Sequence, residues 1–307
     1  MSEARLSDAI SNGRRAAVVT GGGKGVGRAI AERLAADGLG VLVNNRHRPG
    51  TDDSAGAAVA AIRDQGGEAR AERSDVAGES AAEAIVSAAL ATFGRLDVLI
   101  LNAGIAGEAA RFEKAGPDAF ADVMRINFDA NIRLAHEALP HLKSSLSARI
   151  VVIGSTAGIY GVKGRAPYAA SKGALIAFAL TLAAELERDG ILVNVLFPYA
   201  ATQMTGDAAG GSGASHFSAD KIGPVAGWLA SEACDVSGRI MLAGGGLHRR
   251  VAATEGPARF LGAAEQDFGQ HAAAIDDLDG VRTFREAESA FAAFATEAAR
   301  AAKEARS

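Results

Sequence analysis

Tyr168 and Lys172 stand four residues apart in Tyr-Ala-Ala-Ser-Lys, inside a stretch of helical pattern, so both side chains project from one helix face. That spacing is chemically useful. A phenol titrates near pH 10 unperturbed, roughly, and is a poor base at neutrality, but a neighbouring ammonium favours the phenolate and brings proton transfer within range. Ser155 lies thirteen positions before Tyr168, at the end of an apolar run, where its hydroxyl could hydrogen-bond a substrate oxygen. Asn127, in Arg-Ile-Asn-Phe, falls within a helical stretch, where it could hold a kink and a water connecting Lys172 to solvent. A lone Ser or Asn is usually a capping or turn residue, so these two gain weight only beside the Tyr and Lys.

A second constellation opens the chain. Thr20-Gly-Gly-Gly-Lys-Gly-Val-Gly27 places Gly21, Gly23, Gly25 and Gly27, with Lys24 and Val26, directly after an apolar run and before a helical one. Glycine lets the backbone turn sharply and lets a pyrophosphate approach the amides at a helix N-terminus, where the dipole favours negative charge. In NAD-specific sites of this kind a carboxylate at the end of the second strand takes the adenine ribose and repels the extra phosphate of NADP. Here that end reads Val43-Asn44-Asn45-Arg46-His47-Arg48, amides followed by cations, and Lys24 can reach the same region. Asn45 and Arg46 therefore predict a preference for NADP(H), with NAD(H) the other possibility. Asp75-Val76, after the third strand, could meet the adenine, and Asn102-Ala103-Gly104, after the fourth, could lie against the adenosine ribose.

The elements that must position these residues are legible as short apolar runs at Ala16 to Thr20, Gly40 to Asn44, Ala69 to Ser74, Leu96 to Leu101, Ile150 to Gly154, Ile191 to Leu196 and Arg239 to Ala243. Helical patterns fall near Arg28 to Ala36, Ala55 to Gln65, Glu79 to Phe93, Pro117 to Leu142, Arg165 to Arg188 and Asp220 to Ser231. The alternation predicts an α/β, doubly wound Rossmann-type fold with a parallel seven-strand sheet, and such folds bind ligands beyond the carboxyl ends of the strands. We divide the chain into an N-terminal tail over 1–14, a catalytic domain over 15–246 and a helical C-terminal extension over 247–307. Gly206 to Ser215, rich in Gly, Ala and Ser, reads as a mobile substrate lid or as a tolerated surface loop. In the extension, Phe284, Phe291, Phe294 and Ala298 form one helical stripe suited to packing on the domain or on a sister subunit.

Composition narrows the classes. The net charge is −4 and the cations are dispersed, which argues against nucleic acid as a partner. No apolar run in the sequence reaches membrane-spanning length, the N-terminus lacks a signal core, and the one cysteine, Cys234, reads as a packing residue, all of which fits a cytoplasmic setting with no membrane. The six histidines are scattered without ligand spacing, so no metal site is expected.

Taken together, Thr-Gly-x-x-x-Gly-x-Gly, Asn-Ala-Gly, the Asn, the Ser and Tyr-x-x-x-Lys, in that order from about Ala16 to Gly246, resemble the short-chain dehydrogenases/reductases. The resemblance implies a catalytic tetrad of Asn127, Ser155, Tyr168 and Lys172, an NAD(P)-linked exchange between a small-molecule alcohol and its carbonyl, and a homotetramer or homodimer. A narrower likeness joins Ser-Thr-Ala-Gly-Ile-Tyr-Gly, Pro198 to Thr205 and Trp228 to Cys234 to the hydroxyacyl-CoA dehydrogenase domain of peroxisomal multifunctional enzyme type 2. It implies 3-hydroxyacyl or 3-ketoacyl substrates. Pro198 is followed by Tyr199 where the wider family has Gly, and Thr202 is the candidate contact to the nicotinamide carboxamide. Asn45 replaces the Asp of that subgroup, which resembles NAD enzymes. An NAD-dependent alcohol or hydroxysteroid dehydrogenase is the alternative, and a non-catalytic dinucleotide-sensing regulator ranks below it because all four tetrad positions are filled.

Overall fold

The computed structural model describes residues 13–200, 214–258 and 279–304. Its centre is a sheet in the order β3-β2-β1-β4-β5-β6-β7-β8, built from β1 (Ala16–Thr20), β2 (Gly40–Asn44), β3 (Glu68–Glu72), β4 (Val98–Leu101), β5 (Arg149–Ile153), β6 (Leu192–Tyr199), β7 (Ile240–Gly244) and β8 (Leu247–Val251). From β3 through β7 every pairing is parallel. Every residue of β1, β2, β4 and β5 is buried, which is why these strands read as unbroken apolar runs: helices cover both faces.

One layer holds α1 (Gly25–Ala36), α2 (Ser54–Asp64) and α8 (Gly223–Ala230), and the other holds α3 (Ala81–Phe93), α4 (Pro117–Met124), α5 (Ala130–Lys143) and α7 (Ala166–Glu185). A single turn, α6 (Ala157–Tyr160), precedes α7. Ile30, Ala31, Leu34 and Ala35 make the buried stripe of α1 and join Val19, Val41, Val43 and Ile62 in one core. By length and composition α7 could cross a bilayer. It is a core helix instead, because its buried face carries the charged Lys172 among Leu175, Ile176 and Ala179.

Three sequence expectations are corrected. The sheet has eight strands, not seven: β8 follows β7 after only Gly245 and Gly246, with φ of +60° and +81°. Positive φ at both residues of a two-residue link makes an antiparallel hairpin. Leu-His-Arg-Arg-Val lacks an apolar run because Leu247 to Arg250 are exposed, so nothing in its pattern marked a strand. The helix expected over Pro117 to Leu142 is interrupted by a π-turn at Arg125–Asp129, where the Ala130 amide bonds back to the Arg125 carbonyl. The helix expected from Asp220 begins as a 3-10 turn, Ala219–Ile222, and becomes α-helical at Gly223.

The chain falls into two compact units, Met1–Arg250 and Val251–Ser307. In the second, Glu255 and Arg282 form an isolated antiparallel bridge, and Arg282 stacks its guanidinium 5.3 Å from the Phe284 ring. Helix α9 (Ala287–Glu304) buries none of its described residues, and Phe291 and Phe294 are exposed. The Gly206 to Ser215 segment lies outside the described residues through Gly213.

Candidate active site

β1 is flanked by β2 and β4, so the connections leave it in opposite directions and a crevice opens beyond the carboxyl ends of β1 and β4. The glycine turn fills one wall. Gly21 and Gly25 take φ of +62° and +53°, which side chains other than glycine's rarely adopt. A Cβ on Gly27 would sit 2.3 Å from the Gly21 carbonyl oxygen and 2.4 Å from Asn102 Nδ2. One on Gly23 would meet Ser54 Oγ at 2.7 Å. Lys24 is the extended residue before α1, with no side-chain cap, so the first amides of α1 are not met by a capping side chain. This bare, glycine-walled cradle fits a dinucleotide pyrophosphate.

Thr20 and Asn102 tie the end of β4 to the glycine turn. Thr20 is buried; its hydroxyl donates to the Ile100 carbonyl and accepts from the amides of Asn102 and Ala103, both at 3.0 Å. Asn102 Nδ2 donates to the carbonyls of Thr20 and Gly21 at 2.8 and 3.2 Å. The two residues bolt the end of β4 to the glycine turn and fix its shape.

At the end of β2, Asn45 Nδ2 donates to Ser54 Oγ at 2.8 Å, closing the space behind Gly23. Arg46 Nη1 lies 3.1 Å from Asp75 Oδ2, so the guanidinium read as a phosphate donor and the carboxylate read as an adenine acceptor are partners. Partial burial works to raise the Asp75 carboxyl, but the Ala77 amide and Arg46 outweigh it and hold it below its usual range. Val76 is partly buried beside it, and Lys24 is exposed.

The expected catalytic residues converge. Ser155 follows β5 directly after Gly154, accepts from the Ala157 amide at 3.1 Å and stands close enough to Tyr168 to pull its phenol down. Tyr168 stands in the first turn of α7, next to Pro167, which suits a helix start. Lys172, one turn on, is buried; its Nζ donates to the Ile153 carbonyl at 2.7 Å and lies 5.9 Å from the Tyr168 ring centre. Asn127 sits in the π-turn: its Oδ1 accepts from the Ile105 amide at 2.7 Å, and its Nδ2 donates to the Ile105 carbonyl and Ser171 Oγ, both at 2.9 Å. A Cβ on Gly104 would lie 3.1 Å from Asn127 Oδ1 and 3.8 Å from Lys172 Nζ, so Gly104 lets the two approach one point.

The electrostatics differ from expectation in one respect. Burial pushes the Tyr168 phenol up, while Ser155 and the Arg165 charge pull it down. The Lys172 ammonium faces the Ile153 carbonyl and the ring, and burial brings its own titration down to about 8. The phenol is held above its ordinary value by burial, and Lys172 is not among the groups that move it, so the expected ammonium effect is not the one that acts here. Pro198 and Tyr199 end β6, where Gly244 alone lets Tyr199 pass: a Cβ there would lie 2.5 Å from the Tyr199 backbone oxygen. Thr202 lies outside the described residues.

Sequence reasoning missed Ser171, Ser54 and Arg165. Ser171 links Asn127 to the Tyr168 carbonyl, to which it donates at 2.8 Å. Only its place beside Lys172, on the same helix as Tyr168, could have marked it.

The short chain dehydrogenase family model matches residues 15–210. A short-chain type dehydrogenase/reductase of Mycobacterium tuberculosis is 34% identical over 275 residues, covering 87% of this chain and 96% of the relative. The 3-oxoacyl-[acyl-carrier-protein] reductase of Escherichia coli is 34% identical over 190 residues, 62% of this chain and 75% of that one. The solved full-length peroxisomal multifunctional enzyme type 2 of Drosophila melanogaster superposes with a TM-score of 0.75 at 25% identity, over 92% of this chain and 49% of its own. With the glycine cradle, the Ser155, Tyr168 and Lys172 cluster and a family match across most of the first unit, this chain belongs to the short-chain dehydrogenases/reductases, oxidoreductases that act on CH–OH groups with NAD(P).

Proposed function

We propose that this chain interconverts a secondary alcohol and a ketone, with a preference for NADP(H) and a 3-hydroxyacyl or 3-ketoacyl compound, or a related carbonyl, as substrate. The observation that carries the reading is the meeting of Ser155 and Tyr168 at one point, where Ser155 pulls the phenol down, with Lys172 buried 5.9 Å from the ring centre. The amides of Gly21, Gly23, Gly25, Val26 and Gly27 would hold the pyrophosphate, Ala103 and Gly104 would take a ribose, Asp75 and Val76 the adenine, and Pro198 the carboxamide, for which Thr202, outside the described residues, is the other candidate. When bound, NAD(P)(H) would supply the acceptor for the hydride that leaves the alcohol carbon, or its donor in the reverse direction.

Ser155 and Tyr168 bind the substrate oxygen from one side and fix its distance from the reacting carbon. In oxidation Tyr168 takes the hydroxyl proton, and in reduction it gives that proton back. Lys172 steadies the phenolate by charge as substrate and cofactor close around it, and Asn127 holds the wall beside Gly104. Acyl substrates are supported by the likeness to a 3-oxoacyl-[acyl-carrier-protein] reductase. A homotetramer or homodimer in the cytoplasm completes the reading.

Replacing Tyr168 by Phe should abolish turnover, at least ~100-fold, while cofactor binding persists; retained turnover refutes the assignment. A panel of ketones, acyl thioesters and steroid alcohols, each with NADPH and NADH, tests substrate and cofactor together. The Arg46–Asp75 ion pair favours one alternative, an NAD-dependent alcohol or hydroxysteroid dehydrogenase, because it occupies the guanidinium that would take a phosphate. Equal or better efficiency with NADH selects that alternative.

A further inference from the structure

We propose that Arg165 is a positioning residue for this reaction, clamping the loop after β4 to the start of the helix that carries Tyr168 and keeping an unneutralised positive charge beside the phenol. The proposal rests on the reading of the site given above. Arg165 is the residue immediately before α7, three positions ahead of Tyr168. Its Nη1 donates to the carbonyls of Ala106 and Gly107, at 3.4 and 2.5 Å. The neighbouring Gly164 carbonyl accepts from the Ala110 amide at 3.0 Å, so two successive residues grip the same loop. That loop is the wall facing the crevice. Its other ties are neutral: Thr20 holds Asn102 and Ala103, and Asn127 holds Ile105. Gly107 bends it at φ +69°, and a Cβ there would strike Val123 Cγ2 at 2.9 Å, so the loop has little freedom to re-form elsewhere.

The charge is the second part of the argument. Among the described residues no ion pair joins Arg165 to a carboxylate, and its guanidinium meets carbonyls only. Carbonyl oxygens orient a guanidinium without cancelling its charge, so its field extends to the phenol. That field works against the burial that disfavours the phenolate. Other groups stand on the elements packed against α7: Tyr160 on α6, Asp118 and Asp122 on α4, Arg125 and Asp129 in the π-turn, and Tyr199 at the end of β6. None of them acts on the phenol as Arg165 and Ser155 do. Lys172 completes the set, 5.9 Å from the ring centre.

The test uses the full chain with Arg165→Gln and Arg165→Lys, each checked for fold by thermal melting and for binding of NADPH. The readout is the pH dependence of kcat/KM for alcohol oxidation. Gln keeps a donor for the loop but removes the charge. Its rising limb should move to higher pH, with a rate at pH 7 roughly 3- to 10-fold below the parent's. Lys keeps the charge but not the guanidinium geometry that lets one nitrogen reach both the Ala106 and Gly107 carbonyls, so its limb should stay in place while KM for substrate rises roughly 3- to 10-fold. A limb unmoved in Arg165→Gln, or moved equally in Arg165→Lys, overturns the proposal while the reading of the site stands. No turnover by the unaltered protein on any substrate of the panel overturns both.

Discussion

Burying an ammonium costs several kcal/mol unless its protons find acceptors, and the acceptor visible for Lys172 is the Ile153 carbonyl at 2.7 Å. Its titration falls to about 8 from an ordinary 10.5 because burial penalises the charged form. The sign of the linkage follows. Below pH 8 both folded and unfolded chains hold the proton and the cost of burying the charge is constant; between about 8 and 10.5 only the unfolded chain holds it, so this group's contribution to stability rises with pH. Lys172→Met should therefore melt higher than the parent at pH 7, by up to about 3 kcal/mol, and the gap should shrink by pH 10 while activity is lost. Thermal melts at the two pH values decide it: a gap that does not narrow refutes the cost assigned to this charge. Tyr168, Lys172, Ser155 and Asn127 were legible because an uncommon pairing at helical spacing gave meaning to two common residues. Arg165 and Ser171 were not, since an arginine before a helix and a serine within one are ordinary until the fold sets them against a loop and an asparagine.

Among the elements, β1 and β2 were legible to the residue, because a strand covered on both faces admits only apolar side chains. The glycine turn was legible for the complementary reason, that no other residue fits there. Gly27→Ala would place a methyl 2.3 Å from the Gly21 oxygen. That variant should lose about 2–4 kcal/mol of stability and its affinity for the dinucleotide, measurable by denaturation and by cofactor fluorescence titration. Binding equal to the parent's would show that the turn can open without harm. A kink at Asn127 was legible but its form as a π-turn was not, because Arg-Ile-Asn-Phe-Asp continues the helical period on both sides. Its cause is tertiary: the Asn131 side chain donates to the Asn127 carbonyl at 2.6 Å, and Asn127 spends its amide on Ile105 and Ser171.

Across the whole molecule the two ends of the sheet divide the labour. At the amino ends, Arg149 donates to the carbonyls of Ala148, Ser231, Glu232 and Cys234, and Asp97 gathers Arg95, Ser145 and the Ala16 amide. Nothing there serves the chemistry, so changes should alter stability and spare the intrinsic rate. Burial would raise the Asp97 carboxyl, but Arg95, Ser145 and the Ala16 amide overcome it and depress it. It thus contributes stability above the usual carboxylate range that is lost as pH falls through its own lowered value. Asp97→Asn should cost about 1–3 kcal/mol at pH 7, a deficit that closes in acid, with kcat unchanged. A deficit that persists at pH 3 would contradict that account. The doubly wound, parallel character was readable from alternation, whereas the strand order, the eighth strand and the division of labour depend on which backbone groups meet, which no periodicity encodes. The widened turn at Arg125–Asp129 carries one residue more than a regular helix of that span would use, so it slips the rotational phase of everything after it by about 100°. The crossover from β4 to β5 is in this sense length-locked: shorten it by a single codon and the backbone regains an ideal spiral, but Asn127 swings away from Gly104, so natural variants that lose a residue here ought to surrender catalysis before they surrender folding.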